Sequence, residues 1–286
     1  MRVLSALLNL LLLVCPCALC YGQLRFSSVG GERGYSAMRA AYTADLDNGF
    51  TLIPEYGYYR MSDKEIDEAG STSRYGLEAL YELSDSWAVL AEGIWQPSAV
   101  GYEGVIYKAG TQWKPFYYWA GFKKPVLTAV FGQTRTRSYV NVEGNDLPGG
   151  AFRQVGTQAE VYAELDIKDR WRLKGTWQKV IKYSSRVPEN VTFSWAEVPY
   201  MTAVLQGFIK DCTALHLSYR TDLITPYVSV ARYHYDQRRT VAGAISTGVH
   251  IHLWDVVVTG GIEVFEPRRE ENRKMYFSLS AEVPFL

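Results

Sequence analysis

The sequence predicts an all-β fold, a transmembrane antiparallel up-and-down β-barrel of about fourteen strands, roughly 12 to 16. Three observations carry that expectation. Apolar and polar residues alternate through one short segment after another, the period of two that belongs to a strand with unlike faces. The chain holds 21 tyrosines and 8 tryptophans in 286 residues, and such amphipathic rings concentrate where an apolar phase meets water. Beyond the N-terminal stretch no apolar run approaches the ~20 residues of a membrane-spanning helix. If the chain crosses a membrane, only a closed barrel can leave every backbone group paired in lipid.

The first element is a leader. "MRVLSALLNLLLLVCPCALCYGQ" has an early Arg2, an apolar run from Val3 to Val14, and small or cysteine residues near Ala18 to Gly22. This is the pattern of a secretory signal peptide, with cleavage after Cys20 or Gly22. The expected division is a signal peptide over 1–22 and one barrel domain over 23–286. A lipoprotein anchor at Cys15, Cys17 or Cys20 is the rival reading, but none has the usual large aliphatic and small residues before it. The mature chain would retain Cys212 alone, which excludes a disulfide framework and a cysteine-based metal site. The charge is balanced, with 30 basic and 30 acidic residues, which argues against a nucleic-acid partner.

Strand patterns then follow in order over 36–45, 50–61, 74–83, 87–96, 103–113, 126–140, 157–167, 171–183, 200–210, 214–220, 227–236, 241–253, 256–266 and 275–285. In 87–96, Trp87, Val89, Ala91, Gly93 and Trp95 share one face. At ~3.3 Å per residue and a tilt near ~40°, the two tryptophans stand roughly 20 Å apart along a barrel axis, close to the height of an aromatic-girdled apolar band. In 157–167, Gln158, Glu160, Tyr162, Glu164 and Asp166 oppose Thr157, Ala159, Val161, Ala163, Leu165 and Ile167. Folding about "KDR" at 168–170 sets Asp166 opposite Arg172 and Glu164 opposite Lys174. Each such pair favours this register by ~0.2–1 kcal/mol, and the ionic face they create must see water.

Short turns such as "DNG" at 47–49, "SDS" at 84–86 and "WD" at 254–255 alternate with longer polar connections, "SDKEIDEAGST", "NVEGNDLPGG" and "EPRREENRK". Outer-membrane barrels keep turns short on the periplasmic side and longer outside. Counting from a periplasmic C-terminus, the sides agree at both ends only if 23–29 and 191–198 are also strands.

The last strand is "KMYFSLSAEVPFL", with Met275, Phe277, Leu279, Ala281, Val283 and Phe285 alternating against polar residues. A soluble sandwich and a membrane barrel both give this alternation. A terminal strand with an aromatic at or next to the last position resembles the carboxy-terminal recognition signal of Gram-negative outer-membrane β-barrel proteins. The match covers Phe277, Leu279, Ala281, Val283 and Phe285, and departs from the pattern in carrying Leu286 after the aromatic. The resemblance implies a cell outer membrane location, contact with outer-membrane lipid, and recognition by the barrel-assembly machinery. It identifies no particular family.

Candidate chemistry is sparse. His216 and Ser218 in "ALHLSYR" form an H-x-S pair similar to that of outer-membrane phospholipase A and the lipid A deacylases, in which a histidine serves as base to a serine nucleophile. Tyr219 and Arg220 follow, not a glycine-containing polar run, and the pair falls on the water side. His216, His234, His250 and His252 are expected on the polar face. Tracing the hairpins puts His216 and His234 at one height, with His250 and His252 roughly 15–20 Å lower. No metal or other cofactor is expected. "GGERG" and "LPGG" lack the strand-then-helix setting of phosphate loops and read as turns, and the sequon at Asn190 matters only in a eukaryotic secretory pathway.

A ring of fourteen strands is too wide for its side chains to fill. The sequence therefore leads to a porin-like conduit for small hydrophilic solutes, with a mixed-charge wall that includes Glu160, Glu164, Asp166, Arg172, Lys174 and Lys182. A non-transporting docking barrel and a lipid-modifying enzyme using His216 and Ser218 are the alternatives.

Overall fold

The computed structural model describes residues 21–46, 48–63, 68–99, 102–115, 118–119, 122–138, 153–168, 170–184, 209–235, 241–266 and 273–285. Its strands are β1 (Tyr21–Gly31), β2 (Ser36–Leu46), β3 (Phe50–Asp63), β4 (Glu68–Ser84), β5 (Trp87–Ala99), β6 (Tyr102–Trp113) and the two-residue β7 (Tyr118–Trp119). They continue as β8 (Phe122–Ser138), β9 (Arg153–Ile167), β10 (Trp171–Tyr183), β11 (Ile209–Tyr219), β12 (Ile224–Tyr235), β13 (Val241–Leu253), β14 (Val256–Glu266) and β15 (Lys274–Phe285). A single 3-10 turn, Glu32–Gly34, joins β1 to β2. Sequence neighbours pair antiparallel, β6 pairs with β8, and β15 returns to β1, so fourteen strands close a ring and β7 lies outside it against the start of β8. A closed ring has no edge strand, the condition for spanning an apolar phase without orphaned N–H and C=O groups.

Directly opposed residues share a face, so the registers sort every strand into an inward and an outward row. The outward rows are apolar. Phe26, Phe131, Leu215, Ile245, Phe277 and Leu279 are 38%, 56%, 48%, 61%, 53% and 60% exposed. Trp87 and Trp95 also face out, stacked on Trp113 and Tyr75 at ring centroid distances of 6.0 and 5.4 Å. The inward rows hold buried polar side chains, Gln96, Lys108, Gln158, Glu160 and Gln178 among them. This is the reverse of a water-soluble domain, and it is the transmembrane β-barrel that the alternation predicts. The C-terminal apolar row thus touches the exterior of the barrel and no protein core.

The turn residues 48–49, 85–86, 168 and 170, 220–223 and 254–255 lie at one end of the ring, together with the start of β1 and the end of β15. The strand ends flanking 64–67, 100–101, 139–152, 185–208, 236–240 and 267–272 lie at the other. In the first of the short turns, between the paired Leu46 and Phe50, Asn48 and Gly49 have φ of 79° and 74°, the left-handed backbone that asparagine and glycine adopt most readily.

The strand count of fourteen is reached by a different route from the expected one. The chain does not turn between Lys210 and Ala214 as predicted, because β11 runs unbroken from Ile209 to Tyr219; residues 200–208 of the first predicted strand lie outside the described residues. A bulge between Ile209 and Asp211 absorbs one residue, Cys212 turns inward, and Asp211 and Thr213 face outward near the strand end. The polar residues there suggested a turn. They belong instead to the part of the wall where an apolar surface is no longer required. The strand missing from the count is β1, which includes the segment 23–29. It also includes Gly22, paired with Phe285 and Ala44, within the stretch assigned to the leader. Residues 1–20 and the segment 191–198 lie outside the described residues. Where "SDKEIDEAGST" was read as a connection, β3 and β4 stay paired as far as Asp63 and Glu68, held by backbone bonds that need no alternation of hydrophobicity.

Candidate functional site

The inward face near the short-turn end is built by the β9–β10 hairpin. Its register sets Asp166 opposite Arg172, Glu164 opposite Lys174 and Glu160 opposite Gln178. The Arg172 Nε donates to Asp166 Oδ1 at 3.0 Å, and its Nη1 lies 2.9 Å from Glu164 Oε1. Lys174 Nζ reaches Glu164 Oε2 at 3.0 Å, and Arg220 Nη1 reaches Asp166 Oδ2 at 3.0 Å. Arg172, Lys174 and Glu164 are partly exposed, with side chains 31%, 49% and 32% accessible. The two ion pairs of Glu164 are therefore wet and worth at most about 1 kcal/mol each, while Asp166 is buried between its two arginines, at 9%.

Lys182 departs from the expected wall. A bulge between Val180 and Lys182 leaves Val180 opposite Gln158 and moves Lys182 opposite Thr157, onto the row of Ala159 and Val161. One extra residue in a strand flips all that follow it. Lys182 is exposed on the outward face, and the other five wall residues face inward.

Half way up the ring stands a buried ionic group that the sequence reading did not assemble. Lys108 Nζ lies 3.1 Å from Glu92 Oε2 and 3.0 Å from Glu160 Oε1. Glu160 also accepts a hydrogen bond from the Tyr162 hydroxyl and one of 3.1 Å from Gln158 Nε2. The Gln158 carbonyl oxygen in turn accepts from Thr134 at 3.2 Å and from Gln178 at 3.3 Å. Gly132 lies opposite Lys108, where an added Cβ would stand 2.7 Å from the lysine Cγ, so the absent side chain leaves the stem its path. A signal for this group exists in the sequence. Folding 74–83 onto 87–96 about Ser84–Ser86 sets Glu78 opposite Glu92, two like charges that call for a cation. The next hairpin supplies it by setting Glu92 opposite Lys108.

The inward face of β11–β15 is chemically different. It carries Ser229, Ser246, Gly248, Thr259, Gly261 and Ser278. Tyr227 lies across it between two histidines, its ring centroid 4.9 Å from His216 and 4.9 Å from His250. Its hydroxyl rests over Gly248, where an added Cβ would meet it at 2.6 Å. His250 Nδ1 is 2.7 Å from Thr259 Oγ1, and His252 Nε2 is 3.1 Å from Thr225 Oγ1.

This arrangement overturns two expectations about the histidines. His216 and His250 are not far apart in height, since their ring centroids are 6.4 Å apart. His234 is not on the inward face. It lies opposite Asp211 and Val241 in the outward row, with Nδ1 3.1 Å from Asp211 Oδ2. Seven residues separate Tyr227 from His234, an odd step that changes face. Among the described residues, no group of three or more His, Cys, Asp or Glu stands close enough to hold a metal ion. His216 and Ser218 both point inward, Ser218 buried between Arg172 and Tyr227 of the neighbouring strands. Neither faces the exterior where a lipid would lie.

No family model matches the chain, and no curated protein matches it. Solved structures do. Pseudomonas putida OprB is similar at 10% identity and a TM-score of 0.51, over 93% of this chain and 94% of that one. The CymD monoaromatic hydrocarbon channel matches at 10% identity and a TM-score of 0.53, over 93% and 88%. CdiB from Acinetobacter baumannii gives 8% identity and a TM-score of 0.54, over 93% of this chain and 60% of that one. These likenesses establish the fold, that of Gram-negative outer-membrane β-barrels.

Proposed function

We infer that this chain is a porin-like channel of the Gram-negative outer membrane, through which small hydrophilic solutes diffuse passively. The observation that carries the reading is the inversion of the fold, a closed fourteen-strand ring with apolar side chains outward and ion-paired, hydrogen-bonding side chains inward. Such a wall suits water and polar solutes. The likeness in fold to OprB and to the CymD hydrocarbon channel supports a channel, and the polar inward face favours hydrophilic over apolar cargo. The leader over 1–22 exports the chain. Phe277, Leu279, Ala281, Val283 and Phe285 serve as its assembly signal, and the outward row contacts membrane lipid.

Solutes pass between two unlike walls. On one side stand Glu164, Arg172 and Lys174 near the short-turn end, beside the buried Asp166, and half way up the partly exposed Glu92, beside the buried Lys108 and Glu160. On the other are the serines, glycines and Tyr227 of β11–β15, with Glu263 and the Arg25-paired Glu282 on the same inward rows. The resulting field runs across the pore and orients dipolar solutes, so selectivity between simple cations and anions is weak.

The test is single-channel conductance of the refolded chain in a planar bilayer. Steady resolvable steps with a reversal potential near zero are the expected result. A second reading, a non-transporting docking barrel, draws on the burial of the inward-facing Gln96, Gln158, Glu160 and Gln178. A silent bilayer containing folded, heat-modifiable barrel would select it.

A further inference from the structure

The outward row is apolar around most of the ring, yet on β8–β12, toward the long-connection end, it is cationic. Arg135, Arg137, Arg153, Lys179, Lys182 and Arg232 are all exposed there. Arg137 stands directly opposite Arg153, with Glu103 on its other side. Arg135, two residues from Arg137 on the same face, holds its guanidinium 5.2 Å from the centre of the Tyr107 ring. Lys210, the extra residue of the β11 bulge, is exposed beside them. Among the described residues the carboxylates of this sector are Glu103, opposite Arg137, and Asp211, opposite Lys179 and 3.1 Å from His234. At the same end of β1–β5 and β13–β15, the described outward charges are Arg60 and the pair of Glu266 with Arg273, just before β15, at 3.6 Å.

Cations set across from one another on a sheet repel, and on a lipid-facing wall they are also costly unless they reach the headgroup zone. Exposed Phe131 shares a cross-strand row with Lys179 through Ala159, and exposed Val161 and Trp177 lie next toward the short turns. The sector is thus an apolar slope capped by positive charge, about 20 Å wide across five strands at ~4.8 Å spacing. A membrane lipid with a phosphate-bearing, negatively charged headgroup has the complementary profile, since basic clusters at a membrane surface attract anionic headgroups.

We propose that the cationic sector of β8–β12 is a binding surface for anionic, phosphate-bearing lipids of the leaflet at the long-connection end. The proposal rests on the reading above that the outward face lies in a membrane. It assigns Lys182 to lipid recognition and not to the pore.

The test is electron spin resonance of the full refolded chain in phosphatidylcholine vesicles carrying either spin-labelled phosphatidylcholine or spin-labelled phosphatidic acid. The expected result is a motionally restricted component for both lipids, with phosphatidic acid favoured about fivefold. That preference should fall toward one in the variant carrying Arg135→Gln, Arg137→Gln, Lys179→Gln and Lys182→Gln, and in high salt. The smaller variant with only Lys179→Gln and Lys182→Gln should lose part of it, and Arg60→Gln should leave it unchanged. A restricted component without preference, or a preference that survives in both patch variants, overturns the proposal and leaves the barrel reading intact. Absence of a restricted component for either lipid overturns both.

Discussion

Lys108 Nζ lies 3.0 Å from Glu160 Oε1 on the inward face, and both side chains are nearly inaccessible, at 5% and 1%. Breaking a buried pair from one side leaves a charge without compensation and costs about 3–5 kcal/mol, whereas replacing both partners with neutral groups is often nearly neutral. Lys108→Met is therefore expected to lower the urea midpoint of the refolded barrel markedly, and Lys108→Met with Glu160→Gln to recover most of the loss. A double variant no more stable than the single one would remove the pair from the account of stability.

The same lysine neutralises Glu92 as well as Glu160. In Lys108→Gln the remaining carboxylates should draw cations, shifting the reversal potential under a salt gradient toward that of a cation-selective pore. A shift toward anions, or none, would mean that ions do not pass this level.

How much of this was visible in the sequence depends on how unlike the two faces of each strand are. The β9–β10 hairpin was legible down to its register, because Glu164, Asp166, Arg172 and Lys174 on one row and Ala163, Leu165 and Leu173 on the other admit one alignment. Bulges were not legible. Nothing in "WQKVIKYSS" marks the extra residue that puts Lys182 outside, and nothing near Lys210 marks the one in β11. A bulge is fixed by how the neighbouring strands are offset, which is a property of the ring and not of the segment. The His216–Tyr227–His250 stack failed for the same reason, since relating rows two strands apart needs the register of both intervening pairs.

The bulge makes a direct prediction. Lys174 and Lys182 lie on one strand but on opposite faces, so Lys174→Gln should shift ion selectivity toward cations and Lys182→Gln should not. Reversal potentials measured on both variants decide it. Equal shifts would place both lysines on the pore and contradict the register.

Asp166 sits between Arg172 and Arg220, at 3.0 Å from each. Asp166→Asn would leave two guanidinium groups sharing a neutral neighbour at the short-turn mouth. Asp166 itself is buried, at 9%, but the two guanidinium groups left behind are partly solvated, at 31% and 33%, so the loss of stability should stay below the about 3–5 kcal/mol of a fully buried pair. Selectivity should move toward anions, opposite in sign to the Lys108→Gln shift. Measuring the two together separates a charge effect from general damage to the pore.

The sharpest test of the whole architecture uses adjacent residues of β15. Leu279 faces outward and is 60% exposed, while its neighbour Ser280 faces inward between Thr259 and Ser27. In a soluble domain an exposed leucine tolerates arginine, because water already covers it. In a membrane barrel the lipid-facing position does not, and arginine near the bilayer midplane costs about 2–4 kcal/mol. Leu279→Arg should therefore lower folding efficiency into vesicles by that amount, and Ser280→Arg, which reaches the polar interior, should fold nearly as well as the parent chain. Heat-modifiable mobility on gels after refolding scores both variants. A Leu279→Arg chain that folds normally while Ser280→Arg fails would reverse the assignment of inside and outside for the entire ring, since one register links every strand to β15.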